Sequence, residues 1–523
     1  MLESRSLWRL IEARAQRTPS DCLAVDSADR EISFREYESR VLRTARGLAR
    51  IGVRSGQTVS WMLPTRIEAL ILIGALSRLG AIQNPILPIY REREVRFITK
   101  QCRPSLLVTP SEWRGFDFAK MAEAIAAEDD RLTTLVVDRD LPESEDGELP
   151  PPNRVIDDPS LEPIRWIFYT SGTTADPKGV QHTDASLHAA ATGMSRALDL
   201  QASDRVAFVF PVTHVGGINW LQAGLAHGCT QILIENFAEA ETIPTLRKRG
   251  VTLAGAGTIF HEAYLAAQRR LAEAELASPA RTGSLFPKVR AFPGGGAPKP
   301  PQLHLDLIDE IGGVGICSGY GSTEAPILTM SRVDDPSEKL ARTEGRPSLP
   351  NVDLRVVRTD DQLAAPGEEG EIRARGPQLF RGYVDSALDR DAFDDEGYFR
   401  TGDLGRIDRE GYVVITGRLK DIIIRKGENI PAKEVEDLLY THPKVADVAV
   451  IGLPDSEMGE RCCAIVSCHD EKDPIDAEEM KEFLLGQQLM IQRVPEQLEI
   501  VERIPRNATG KILKHELRAR FGS

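Results

Sequence analysis

Tyr169-Thr-Ser-Gly-Thr-Thr-Ala-Asp-Pro-Lys-Gly-Val180 decides how this chain is read. The stretch packs four Ser/Thr hydroxyls, two glycines and a lysine into a loop that follows the apolar run Trp166-Ile-Phe168. Glycines let backbone N–H groups approach a ligand closely, hydroxyls donate to oxyanions, and a lysine adds positive charge. That is equipment for holding a polyphosphate. The spacing is not that of a Walker loop, which needs Gly-Lys-Ser/Thr at its end. Here Pro177 precedes Lys178, and the C-terminal Gly510-Lys511 pair is followed by Ile512. An ordinary P-loop NTPase is therefore not indicated. The plain alternative for this loop alone is a Ser/Thr/Gly-rich surface connection.

Working outward, further motifs appear in a fixed order. Pro293-Gly-Gly-Gly-Ala-Pro298 comes first, then Tyr320-Gly-Ser-Thr-Glu324 and Tyr398-Phe-Arg-Thr-Gly-Asp-Leu-Gly405. Gly417-Arg-Leu-Lys-Asp421, Lys426-Gly-Glu-Asn-Ile430 and Pro505-Arg-Asn-Ala-Thr-Gly-Lys511 complete the series. Together with the Tyr169–Val180 loop, this set resembles the adenylate-forming superfamily: acyl-CoA synthetases, luciferases and peptide-synthetase adenylation domains. The resemblance covers nearly the whole chain. It leans to the acyl-CoA synthetase branch, through segments such as Asn84-Pro-Ile-Leu-Pro-Ile-Tyr90, which is similar to short- to medium-chain or cyclohexanecarboxylate-CoA ligases.

At 523 residues the chain exceeds one core, and two or more domains are expected. A hydrophobic content of 41% and a charged content of 28% describe a globular protein. The net charge of −14 argues against non-specific nucleic-acid binding and means that any anion site must be locally positive. Seven cysteines without paired metal spacing suggest reduced thiols and a cytoplasmic protein, with Cys462 and Cys463 as strand residues. The N-terminus shows no signal-peptide pattern. The most apolar stretch, Ile67–Ile82, carries Glu68 and Arg78 and is short for a bilayer span, so it reads as a buried helix and no transmembrane segment is expected.

Helical and strand patterns alternate through the first part. Leu7–Gln16 and Ile67–Leu79 read as helices, and Ser33-Phe-Arg-Glu36 carries a capping-box pattern before another that runs to about Ile51. Thr58–Met62, Ser105–Thr109, Arg205–Phe210, Gln231–Glu235, Thr252–Ala254 and Lys288–Phe292 read as strands. Such alternation predicts an α/β fold with parallel sheet covered by helices. Pro142–Asp158, rich in proline and acidic residues, reads as an exposed connector. Val352–Ile415 reads as a small β-rich subdomain. A boundary falls near Lys420, after which a mixed pattern can form its own core: a helix from Pro431 to Tyr440, strands at Asp447–Leu453 and Arg461–Cys468, and helices at Ala477–Leu485 and Lys511–Arg520. The expected architecture is a large N-terminal domain over residues 1–419 and a small mobile α+β domain over residues 420–523.

The resemblance implies roles for particular residues. Activating a carboxylate with ATP brings two anions together, so positive charge and alignment are the main needs. Thr170, Ser171, Gly172, Thr173 and Thr174 would wrap the β- and γ-phosphates, and Lys178 either adds charge there or braces the loop. Gly295, Gly296 and Ala297 would sit beside adenine with Tyr320 and Gly321, and Thr323 would contact the α-phosphate. Glu324, with Thr174, would hold Mg²⁺, and Asp403 and Arg418 would bind the ribose or phosphate. Lys511 would bridge carboxylate and α-phosphate as the catalytic lysine; its plain alternative is a solvated helix-end lysine. Lys420 occupies the hinge position, and Lys426 and Gly427 would line the path of the CoA pantetheine.

For the acyl group, Pro211-Val-Thr-His-Val-Gly-Gly217 is similar to the segment beside the acyl pocket. His214 either adjoins the carboxylate or is a packed side chain. Gly216, Gly217, Ile218, Trp220, Ile316, Cys317 and Gly319 are candidate pocket residues. The segment lacks the aspartate that pairs an amino-acid ammonium in some relatives, so an uncharged fatty or alicyclic acid fits better. The expected substrates are thus a carboxylic acid, ATP and CoA. Two alternatives stay open: an adenylating enzyme that loads a carrier protein, and a non-catalytic binding protein. The oligomeric state is open, a homodimer included.

Overall fold

The computed structural model describes residues 2–152, 156, 158, 161–170, 177–276, 283–296, 299–425, 428–455, 457–506 and 511–522. Among them, a six-stranded sheet runs in the order Lys178–His182, Trp166–Thr170, Ile82–Pro85, Thr58–Trp61, Leu106–Thr109, Thr133–Val136. Its pairs are parallel except the first, where Lys178–His182 folds back antiparallel on Trp166–Thr170. A second sheet orders Arg205–Phe208, Thr230–Leu233, Cys22–Asp26 and Glu31–Ser33. The predicted α/β class is therefore observed.

The helix Ile67–Leu79 explains its own composition. Its apolar residues are buried on nearly every side, and Tyr37 of the helix Phe34–Arg50 donates to the Leu70 carbonyl at 2.9 Å. Its two charges are compensated as burial demands. Glu68 accepts from Arg30 at 2.6 Å, while Arg78 donates to the Pro150 carbonyl at 2.9 Å and lies over the Trp8 ring. Ser33 accepts from the Glu36 backbone N–H at 3.2 Å, supplying the first half of the expected box. Among the described residues no helix is long and apolar enough to cross a membrane.

Two sequence expectations shift. The strand expected at Lys288–Phe292 lies at Phe292–Gly295, where it pairs in parallel with Ile316–Tyr320. Thr252–Ala254 shrinks to bridges from Leu253 to Val206 and Ala291. The connector after Pro142 is largely exposed, as expected, and is anchored at points: Glu143 accepts from Arg40 at 2.9 Å and Arg43 at 2.8 Å, and Arg5 donates to the Ile156 carbonyl.

The expected β-rich unit is a four-stranded antiparallel sheet in the order Asp353–Val357, Gly370–Arg375, Phe399–Ile407, Val413–Arg418. Beyond it the described residues build another sheet, with Gly459–Cys468 at its centre between Val445–Asp455 and Gln497–Ile500. Its two faces carry separate apolar clusters. One gathers Val435, Leu439 and Val450, the other Ile451, Ile465 and Leu517, and neither includes a residue before Ile423. The last helix spans Lys514–Phe521, so Lys511 precedes it rather than starting it. The Leu513 N–H turns back to the Pro505 carbonyl at 2.9 Å, which holds this approach segment out of helix.

Candidate active site

The opening motif is the connection of a hairpin. Thr170 and Lys178 face each other across the antiparallel register, which fixes the two ends of the connection. Ser171, Gly172, Thr173 and Thr174 lie outside the described residues. The Lys178 ammonium sits 5.4 Å from the centroid of the Tyr383 ring, a cation–π contact.

Tyr383 was not singled out in the sequence, yet it joins two motifs. Its hydroxyl donates to Glu324 Oε1 at 3.0 Å. Burial and the neighbouring Glu324 charge raise the Tyr383 pKa, so the phenol keeps the proton it donates. One residue earlier, the Thr323 carbonyl accepts from His182 Nε2 at 2.7 Å. A carbonyl only accepts, so Nε2 carries the proton and Nδ1 takes a bond from the Ser186 hydroxyl at 2.9 Å. Burial lowers the His182 pKa to about 4, which keeps the imidazole neutral. Strand Lys178–His182 and the Thr323-Glu324 turn are thereby fastened together.

On the other side of the cleft, Asp403 is paired directly with Arg418 across the register of Phe399–Ile407 and Val413–Arg418. Arg418 Nε lies 2.8 Å from Asp403 Oδ1, and Tyr320 Oη donates to Oδ2 at 3.0 Å. Gly402 holds φ at +69°, a left-handed turn that suits glycine, and the register shifts between Leu404 and Gly405. The buried Asp403 lies between the two irregularities. A carboxylate has about four lone-pair sites, so two bonds leave room for a diol. Gly295 lies in register with Gly319, and a Cβ there would stand 2.5 Å from the Gly319 carbonyl oxygen. Only a glycine lets these two strands approach so closely. Ala297 lies outside the described residues.

Lys511 enters the same cleft, which has a volume of about 250 Å³. Gly296, Gly319, Tyr320, Gly321, Asp403, Arg418 and Lys420 also line it. Burial lowers the Lys511 pKa to about 8, and the charges of Arg418 and Lys420 push the same way. Burial and Arg418 also lower Lys420. The lining sets seven Lys/Arg side chains against seven Asp/Glu, a local balance near zero within a chain of net charge −14, with Arg418 and Lys420 the cations that act most on Lys511. Among the others, Lys514 is paired with Glu436 at 2.7 Å and Arg518 with Asp421 at 2.9 Å. Lys426 and Gly427 lie outside the described residues.

The expected acyl residues fall into separate settings. His214 caps the helix Val215–His227: its Nδ1 accepts from the Gly216 N–H at 3.2 Å, and burial lowers its pKa to about 4. His214 and Thr323 share a small cavity with Tyr90 and Tyr169, closed by Pro85, Ile86 and Leu87. Gly216 lies against His214 and the Phe210 ring, and Gly217 against the Val212 backbone. Ile218, Ile316 and Cys317 are packed in the main hydrophobic core with Trp220, and Gly319 faces the large cleft.

Among the described residues no group of three or more His, Cys, Asp or Glu side chains converges to cage a metal. Glu324, which accepts from Tyr383 through Oε1, is a single hard oxygen donor. That suits Mg²⁺, which keeps several waters and relies on one or two carboxylates plus phosphate oxygens.

Comparison with known proteins gives the chemistry a family. Residues 11–384 match the AMP-binding enzyme model, and residues 434–511 match the AMP-binding enzyme C-terminal domain. The chain is 28% identical to the medium-chain fatty-acid–CoA ligase of Escherichia coli (strain K12), over 96% of this chain and 88% of that one. It is 32% identical to the long-chain-fatty-acid–CoA ligase FadD13 of Mycobacterium tuberculosis (strain ATCC 25618 / H37Rv), over 95% of this chain and 94% of that one. The crystal structure of ATP-bound MatB from Rhodopseudomonas palustris superposes with a TM-score of 0.86 at 26% identity, covering 100% of this chain and 99% of that one. The chain belongs to the AMP-binding enzyme family, adenylate-forming ligases that include acyl-CoA synthetases.

Proposed function

We propose that this protein is an ATP-dependent acyl-CoA synthetase for an uncharged fatty or alicyclic carboxylic acid. In the first step a carboxylate oxygen attacks the α-phosphorus of ATP, and the bond to pyrophosphate breaks. In the second the CoA thiol attacks the acyl carbon, loses its proton, and AMP leaves. The observation that carries the reading is the entry of Lys511 into the cleft beside Asp403, Arg418 and Lys420. Two anions must meet in the first step, and preorganised cations in a partly dry site are worth far more than in water.

The roles follow from position. Lys511 opposes the charge that gathers as carboxylate and α-phosphate approach. Asp403 accepts from the ribose hydroxyls while Arg418 and Tyr320 hold it still. Glu324, oriented by Tyr383, holds Mg²⁺, which when bound neutralises phosphate charge. The Thr170–Lys178 pairing anchors the ends of the phosphate loop, and Lys178 is held on Tyr383, which favours its bracing role. Residues 1–419 and 420–523 act as two bodies, with Lys420 as the hinge and Gly427 beside the thiol's path.

The acid class is read from the chemistry of the residues around His214, whose cavity of about 10 Å³ has room for no more than a water as it stands. Its walls are Pro85, Ile86, Leu87, Tyr90 and Tyr169, with a neutral imidazole and no carboxylate to pair an ammonium. Burying an unpaired ammonium is costly, so amino acids are disfavoured. The test is MgATP–pyrophosphate exchange and CoA consumption over linear, branched, alicyclic, aryl and amino acids. Exchange with an apolar acid, followed by consumption of free CoA, is the expected result. Thioester formed only on a holo-carrier protein would replace the CoA reading. No exchange with any acid would overturn the proposal.

A further inference from the structure

The seam between the helices Thr258–Leu276 and Ala432–Leu439 carries a contact that the reaction chemistry leaves unused. Tyr440, which closes the second helix, donates its hydroxyl to Glu262 Oε1 at 2.6 Å, across 178 residues of sequence. Burial keeps the Tyr440 phenol protonated, so it stays the donor. Next to the pair, Arg506 grips Asp447 with Nη2 at 2.7 and 2.9 Å. All four side chains line the cleft that Lys511 enters.

These contacts form one mechanical train. Arg506 is fixed to Asp447 on the strand Val445–Asp455, and it bridges to Ile512, the residue after Lys511. The helix Ala432–Leu439 packs on that same strand. Tyr440 and the segment bearing Lys511 therefore move together. Lys433 and Asp437 on this helix pair with each other at 2.6 Å. The Tyr440–Glu262 bond is a direct side-chain hydrogen bond from the end of this helix to the larger body.

We propose that Tyr440 and Glu262 form an interdomain latch that positions Lys511 for adenylate formation and must open before thiol transfer. The inference rests on the two-step reading above. Glu262 is a positioning residue: it acts on chemistry through the placement of Lys511.

The latch carries a pH response. Burial at the seam pushes the Glu262 pKa up to about 7, against the Tyr440 hydrogen bond, which lowers it, with the Asp447 charge adding to the rise and Arg506 opposing it. Separation of the bodies would return Glu262 to water and to its ordinary range. The closed arrangement is then favoured at low pH, and that preference fades as pH rises through about 7.

Tyr440→Phe and Glu262→Gln in the full chain test this. Amide hydrogen exchange is followed with MgATP alone as the probe. Tyr440→Phe is expected to speed exchange several-fold in Ala432–Leu439 and Thr258–Leu276, and to leave Gly459–Cys468 unchanged. Pyrophosphate exchange is expected to fall by up to roughly tenfold, as loss of one hydrogen bond allows. Thioester formation from added acyl-adenylate and CoA should hold or rise. Glu262→Gln keeps an acceptor and should restore pyrophosphate exchange while flattening its pH dependence around neutrality. Unchanged amide exchange in Tyr440→Phe, or equal loss of both half-reactions, overturns the latch. A wild-type protein without pyrophosphate exchange would sink the two-step reading instead, and amide exchange would still decide whether the latch exists.

Discussion

Tyr320 and Asp403, far apart in sequence and on different sheets, meet through a hydrogen bond of 3.0 Å, with Arg418 on the other carboxylate oxygen. The carboxylate is thus aimed before any nucleotide arrives. Asp403→Ala removes the acceptor and leaves Arg418 without this partner. A hydrogen bond to a charged group is worth about 1.5–3 kcal/mol, so kcat/KM for ATP should fall roughly 10- to 100-fold. Pyrophosphate exchange against ATP concentration measures it. An unchanged KM and kcat would remove Asp403 from the nucleotide site.

Lys511→Ala should cut adenylate formation by about 10²–10³-fold, the usual cost of losing a well-placed electrostatic donor. Thioester formation from preformed acyl-adenylate should be largely spared. Rapid-quench assays of the two half-reactions separate these outcomes, and equal losses would contradict the assigned role.

The pH profile offers an independent check on the same lysine. Burial and nearby cations bring Lys511 to about 8 in the free protein. It is a cation below that value and neutral above it. Because kcat/KM reports ionisations of the free enzyme, it should decline as pH rises through about 8. Bound ATP adds negative charge and raises the lysine again, so kcat should stay level to higher pH. A kcat/KM that is flat well beyond that range would count against Lys511.

Acid should weaken the fold in a defined window. Burial lowers His182, His214, His261 and His304 from 6.5 to about 4. As pH falls from about 6.5, the unfolded chain takes up protons that these imidazoles refuse, so stability falls until about 4. Each pKa unit of difference is about 1.4 kcal/mol per group. Asp204, held low by Arg290, loses its stabilisation in the same direction, while the raised Asp184 opposes it. Thermal melts across this range should show a steadily falling Tm. His182→Gln should start lower at neutral pH and fall less steeply.

Much of this was legible in the chain itself. Ile67–Leu79 matches its predicted bounds because an unbroken apolar run ends at Gly80, whose left-handed φ of +70° closes the helix. Patterns of local origin, such as Val445–Asp455 and Ala477–Gly486, were found within a few residues. Errors arose where distant pairing overrode local preference. Pro293-Gly-Gly295 reads as loop, yet parallel pairing with Ile316–Tyr320 draws it into strand. Lys511 reads as helix, yet the Leu513 bond to Pro505 keeps it extended into the cleft. Tyr383 and the Glu262–Tyr440 pair gave no local signal, because each works through a partner 59 or 178 residues away.

The buried imidazole of His182 has a consequence for anyone redesigning this enzyme. It ties the hairpin that ends at His182 to the backbone of Thr323, so the proposed phosphate loop and magnesium ligand would share one frame of reference. A loop transplanted from a homologue would bring new phosphate contacts but lose its alignment unless the graft extends through residue 182. The natural unit of exchange is therefore the whole hairpin together with the turn it braces.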